Sequence, residues 1–144
     1  MILDERTEFV DSLALTTAGV KGDVYDTISG TSQYGTSNFR DLGAGYPCFW
    51  VVTLETAATG GPADFQLVTA DDTALTTNAV ILATIPGVVV TTAGQKFAMS
   101  LPSGQLYKQY LGVKVAGTAA TGGTFSSFLV LNVANSRAYK DANN

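Results

Sequence analysis

Phe49-Trp50-Val51-Val52-Thr53-Leu54-Glu55-Thr56-Ala57-Ala58-Thr59-Gly60-Gly61-Pro62-Ala63-Asp64-Phe65-Gln66-Leu67 reads as strand, turn, strand. The first run, 46–55, is rich in aromatic and β-branched residues, which favour a pleated, half-buried surface. The second, 63–69, alternates: Phe65 and Leu67 fall on one face, Asp64 and Gln66 on the other. Between them, Thr-Ala-Ala-Thr-Gly-Gly supplies small residues and a glycine pair suited to positive φ.

The same hexapeptide returns at 118–123, again after an apolar run and before another. Two equivalent hairpin loops in the related halves of a double-sheet sandwich explain the repeat. Chance explains it equally, because Thr, Ala and Gly abound here. Aligning the copies sets Phe49 and Val51 on Leu111 and Val113, and Phe65 and Leu67 on Ser127 and Leu129. That alignment leaves Cys48, Trp50, Val52 and Leu54 on the opposite face, an apolar stripe that needs cover from loop 29–45, from an N-terminal strand, or from another chain. Cover from within the chain is the preferred expectation, since buried aromatics usually serve the core.

Further strands are expected at 79–85 and 87–92, broken by Pro86-Gly87, and at 96–101, 106–116 and 124–133. Phe97, Met99 and Leu101 alternate with Lys96, Ala98 and Ser100. Short period-2 runs between glycine and proline turns predict an all-β, jelly-roll-like antiparallel β-sandwich over 1–144, a single domain. Residues 1–15 read equally as a short amphipathic helix or an extended arm, 29–45 as a long loop, and 134–144 as a C-terminal tail.

Composition narrows the function. The chain has 144 residues, 46% hydrophobic and only 14% charged, with net charge −4. This is too apolar for disorder, and the low charge suits a surface packed against partners. No Lys or Arg lies between Arg40 and Lys96, so the clustered cations of a nucleic-acid binder are missing. The acidic opening is unlike a secretory signal, and no run approaches the roughly 20 apolar residues of a membrane span, so a protein folded in the cytoplasm is expected.

Chemistry is scarce. There is no histidine, which removes the commonest general base and most transition-metal sites. The one cysteine, Cys48, rules out an intrachain disulfide and reads as a core residue. Asp71-Asp72 suits a turn or cap better than acid/base work or a calcium site. No catalytic residue, cofactor or metal is expected. Segments 1–15 and 134–144 hold 8 of the 20 charged residues, mixed with Ile2, Leu3, Phe9 and Tyr139, as an arm docking on a partner would need. The alternative is that Leu3 and Phe9 pack on the protein's own sandwich.

Four segments, in order, resemble the capsid cement (decoration) proteins of short-tailed bacteriophages. They are Met1-Ile2-Leu3-Asp4-Glu5-Arg6-Thr7-Glu8-Phe9; Arg40-Asp41-Leu42-Gly43-Ala44-Gly45-Tyr46-Pro47; Tyr107-Lys108-Gln109-Tyr110-Leu111-Gly112-Val113; and Arg137-Ala138-Tyr139-Lys140-Asp141-Ala142. The resemblance implies a jelly roll bound outside an icosahedral shell of major capsid protein, as a homodimer or else a trimer. It implies a virion location and no catalysis. Expected contact residues, to the shell or between copies, are Ile2, Leu3, Asp4, Glu5, Arg6, Phe9, Arg40, Asp41, Trp50, Tyr110, Arg137, Tyr139 and Lys140. The rival reading is a small glycan-binding or adhesion β-sandwich using exposed aromatics.

Overall fold

The structure, a computed structural model, describes residues 8–15, 18–27, 48–88, 90–101, 107–117 and 120–130. The strands are β1 (Glu8–Ala14), β2 (Gly19–Asp26), β3 (Phe49–Thr56), β4 (Thr59–Gly60), β5 (Ala63–Ala70), β6 (Val80–Val88), β7 (Lys96–Ser100), β8 (Tyr110–Gly117), β9 (Ala120–Thr121) and β10 (Thr124–Val130). They form two antiparallel four-stranded sheets, ordered β1-β10-β3-β7 and β2-β8-β5-β6, and a two-stranded ribbon, β4-β9. This order is the jelly roll: two Greek keys, β1-β2-β3-β5 and β6-β7-β8-β10, interleaved so that each sheet takes strands from both.

The sheets face one another across the apolar sides of their strands. Trp50, Val52, Leu54, Phe125 and Leu129 from the first sheet meet Phe65, Leu67, Leu111, Val113 and Val115 from the second. Phe65 and Phe125 pack at 5.1 Å between ring centroids, tilted by 57°. The Trp50 stripe is therefore the core itself, covered by the second sheet. Its equivalents in the second key are Leu111, Val113 and Val115, one residue away from the alignment of the hexapeptides. Phe49 and Val51 instead join Phe128 and Val130 in a small cluster on the other face of the first sheet.

The hexapeptides differ from expectation too. Each crosses between sheets, from β3 to β5 and from β8 to β10, so neither is a hairpin. The copies pair with each other, Thr59 opposite Thr121 and Gly60 opposite Ala120. Thr59 and Thr121 hold the same place in the repeat, so the ribbon sits on a local pseudo-two-fold axis relating the two Greek keys. Each copy is also tied to the segment following a key's first strand: Leu15 N–H donates to Gly123 O at 3.1 Å, and Ala58 N–H to Val90 O at 2.7 Å.

Residues 8–14 form an edge strand rather than a helix. Register shifts along β1 bring the consecutive residues Phe9 and Val10 both into the core, which hides the period-2 signal. Strand β6 runs through Pro86-Gly87 without breaking, because at a sheet edge proline removes no ladder donor. The Gly87 N–H donates to Asp64 Oδ1 at 2.6 Å.

Between β5 and β6 the chain folds back over the outer face of the second sheet. Leu75, fully buried at φ 52°, packs with Val68, Ala70, Val20, Val24 and Tyr110. Gly112 makes room for it, since a Cβ there would stand 2.9 Å from Leu75 Cδ1. Lys114 Nζ donates to Leu75 O at 3.0 Å. Asp72 fixes the turn. Its Oδ1 accepts the N–H groups of Thr76 (2.8 Å) and Thr77 (2.9 Å), and its Oδ2 accepts the Thr76 hydroxyl at 2.6 Å.

These bonds, the Thr76 hydroxyl first, lower the Asp72 pKa from 3.8 to about 2. A carboxylate held lower in the fold contributes stability above its unfolded pKa and loses it as pH falls through the folded value. The melting-temperature gap between wild type and Asp72→Ala is thus expected to stay constant down to about pH 5 and to close between about pH 4 and 2. Thermal melts across that range check this, and a gap indifferent to pH contradicts it.

Candidate functional site

The sandwich has two unlike ends. One is closed by the β4-β9 ribbon with Leu15 and Val90. At the other, β1 begins and β10 ends side by side, Glu8 opposite Phe128, and Phe49 at the start of β3 stands between Val130 and Ser100. The second sheet contributes the end of β2 and the start of β8, Asp26 opposite Tyr110. Residues 1–7, 28–47 and 131–144 all join the described chain at this end. The described parts of two cement-like segments, residues 8–9 and 107–113, lie here, as does Cys48, which follows the segment 40–47, although the three lie far apart in sequence.

Hydrogen bonds tie the described strand ends together here. The Leu101 N–H donates to Cys48 O at 2.9 Å, and the Thr27 N–H to Gln109 O at 2.8 Å. The Thr27 hydroxyl contacts Lys108 O (3.0 Å) and Gln109 O (2.9 Å). Thr69 Oγ1 accepts the Lys108 N–H at 2.8 Å and donates to Tyr110 O at 2.9 Å. Gln109 Nε2 reaches Tyr110 Oη at 3.1 Å and Asp26 Oδ2 at 3.3 Å. Lys108 and Asp71 form an ion pair at 3.4 Å. Cys48, Leu101 and Tyr107 pack against the core. Burial pushes the Cys48 thiol up, making it a poor nucleophile at neutral pH. Burial also raises Tyr107, and the neighbouring Cys48 adds to that.

This end is apolar as well. Among the described residues the exposed large hydrophobics are Leu13, Tyr25, Val80, Ile81 and Met99. All but Leu13 pair near it: Tyr25 with Leu111, Val80 with Thr69, Ile81 with Val68, Met99 with Trp50. Apolar side chains among charged ones of both signs form a surface suited to another protein.

Of the residues singled out from sequence, Phe9, Trp50 and Tyr110 are described. Phe9 and Trp50 are corrections: both are core, 4% and 0% exposed, and leave no side chain for a partner or a sugar. The Trp50 indole N–H donates to Ser127 Oγ at 2.8 Å, inside the sandwich. Tyr110 is half-buried at the candidate end, its ring against the Leu75 cluster. Ile2, Leu3, Asp4, Glu5, Arg6, Arg40, Asp41, Arg137, Tyr139 and Lys140 lie outside the described residues, as do the 29–45 loop and the 134–144 tail.

Sequence reasoning missed Glu55. It sits where the β10-β3 register shifts, and its carboxylate accepts hydrogen bonds from Ser12 and Ser126. A lone acid ending an apolar run was the available signal. Among the described residues no three His, Cys, Asp or Glu side chains gather as metal ligands would.

A family model described as Bbp16 matches residues 9–129, from the second residue of β1 to the penultimate residue of β10. No curated protein matches the chain.

Proposed function

The chain belongs to the Bbp16 family, and from that premise we propose that it is a non-enzymatic capsid cement protein of a bacteriophage. It binds the outer surface of the assembled shell as a two-fold dimer bridging neighbouring subunits. The observation that carries this reading is the convergence at one end of the jelly roll. There the described parts of two cement-like segments, residues 8–9 and 107–113, and Cys48, which follows a third, come together with exposed Tyr25, Val80, Ile81 and Met99.

The mechanism is mass action. A protein that binds the assembled shell and not its dissociated subunits stabilises the shell by RT ln(1 + [L]/Kd), about 2.7 kcal/mol per site at 100-fold excess over Kd. Many copies on one lattice, each bridging two subunits, turn modest contacts into strong retention. Hydrogen bonds around Thr27, Thr69 and Lys108 tie the described strand ends of this face of the sandwich to one another.

Charge reversal of Arg6, Arg40 and Arg137 together is expected to abolish co-sedimentation with empty shells while the isolated protein melts as wild type does. Wild-type protein is expected to raise the melting temperature of the shells. Failure of the wild type to bind shells, or full binding by the triple variant, refutes the proposal.

A further inference from the structure

The outer faces of the two sheets carry matching apolar clusters. On the second sheet Val68 pairs with Gly112 and Ala70 with Tyr110. On the first, Phe128 pairs with Val51 and Val130 with Phe49. The pseudo-two-fold axis superimposes these pairs, since it carries β5 onto β10 and β8 onto β3. Leu75 caps the cluster on the second sheet. The cluster on the first holds, among the described residues, only side chains of β3 and β10, yet Val51, Phe128 and Val130 are 0%, 0% and 2% exposed. The Thr53 hydroxyl, on the same face of β3 as Val51, is buried as well, with no hydrogen-bond partner. A sheet face with nothing over it leaves its side chains in water, so this face has a cover.

We propose that residues 1–7 of the same chain supply that cover, with Ile2 at the place Leu75 holds on the second sheet. The register of the edge strands makes the assignment. Along β6, Ile81 stands opposite Val68 and Ala83 opposite Leu67, and Leu82 between them is bulged into the core. Along β1, Glu8 stands opposite Phe128 and Val10 opposite Ser127, and Phe9 is bulged into the core in the same way. Glu8 is therefore the equivalent of Ile81. Leu75 lies six residues before Ile81, and six before Glu8 is Ile2, followed by Leu3. Counted from the other strand the match fails: Leu75 lies five residues after Ala70, and five after Val130 is Asn135, which is polar. Residues 1–7 also join β1 beside Phe128, at the cluster itself. Ile2 and Leu3, expected from sequence as contacts to the shell or between copies, then serve their own sandwich. The inference does not depend on the shell, so its test uses the protein alone.

NMR spectroscopy of the full chain is expected to show nuclear Overhauser effects from the Ile2 or Leu3 methyl groups to the Phe128 ring. A sample mixing isotope-labelled with unlabelled chains is expected to place them within one chain. Ile2→Asp with Leu3→Asp should lower the melting temperature by about 5–10 °C, because two apolar side chains lose their seat. Should that variant fail to fold, the wild-type spectra decide alone. Absence of these effects, their appearance only between chains, contacts to the Phe128 ring from residues 131–144 in their place, or a double variant that melts as wild type does overturns the inference.

Discussion

Replacing Gly22 with alanine is expected to leave the protein largely unfolded at room temperature. Gly22 lies in β2 at φ 66°, where β2 passes against β1. A Cβ there would stand 1.9 Å from Phe9 O, 2.9 Å from Phe9 C and 2.9 Å from Val10 Cγ2. Two of those atoms are backbone, so no rotamer relieves the contact. Phe9 and Val10 are themselves core residues, so β1 cannot retreat without opening the sandwich. Left-handed backbone alone costs a residue with a side chain about 1–2 kcal/mol. The added clash takes the total above about 4 kcal/mol, comparable with the whole stability of a marginal domain. Gly94→Ala is the control. Its φ is 81°, but its Cβ meets nothing within 4 Å, so only the backbone cost of about 1–2 kcal/mol should appear. Denaturant melts of both variants check this; similar losses would mean that β1 and β2 separate readily.

Truncating Trp50 is the second large effect. Trp50→Ala removes the largest fully buried side chain and should cost about 3–5 kcal/mol. The polar part can be isolated. Trp50→Phe leaves the buried Ser127 hydroxyl without its donor, and Ser127→Ala leaves the indole N–H without its acceptor. Each should cost about 1–3 kcal/mol beyond any change in packing. The double variant, with neither group stranded, should cost clearly less than the sum. Strict additivity in that cycle would show that the hydrogen bond contributes nothing.

Sequence patterning revealed strands β3, β5, β7 and β8 because each is a run of apolar or alternating residues bounded by glycine, proline or small polar residues. It failed at β1, where register shifts place Phe9 and Val10 in the core together. It passed over β2, whose glycines and charges belong to an irregular edge strand. The hexapeptide repeat was visible, yet its ribbon was not. Residues 59 and 121 pair through a contact between distant turns, and no local period records such a contact. The flanking alignment slipped by one residue for a related reason: β8 is one residue longer than β3 between its last inward side chain and the hexapeptide. In a strand, one residue exchanges core for surface. The candidate site was legible only as scattered segments. The described parts of two of them, 8–9 and 107–113, come to one end through strand order, and the aromatics Phe9 and Trp50, chosen for their size, serve the core.

Strand order also sets a timetable for synthesis. All four strands of the β2-β8-β5-β6 sheet exist once residue 117 has been made. The other sheet is different, because among the described strands β1, the earliest made, pairs with β10, the latest. From Glu8 onward the chain must hold an apolar strand unpaired until residue 124 has emerged. Such long-range pairings fold slowly and leave strand edges open meanwhile. A chain that has emerged only as far as residue 120 would therefore hold β2-β8-β5-β6 and the β3-β7 pair but leave β1 and the inner edge of β3 without their partner, which makes β10 the described strand that ends this exposure to aggregation.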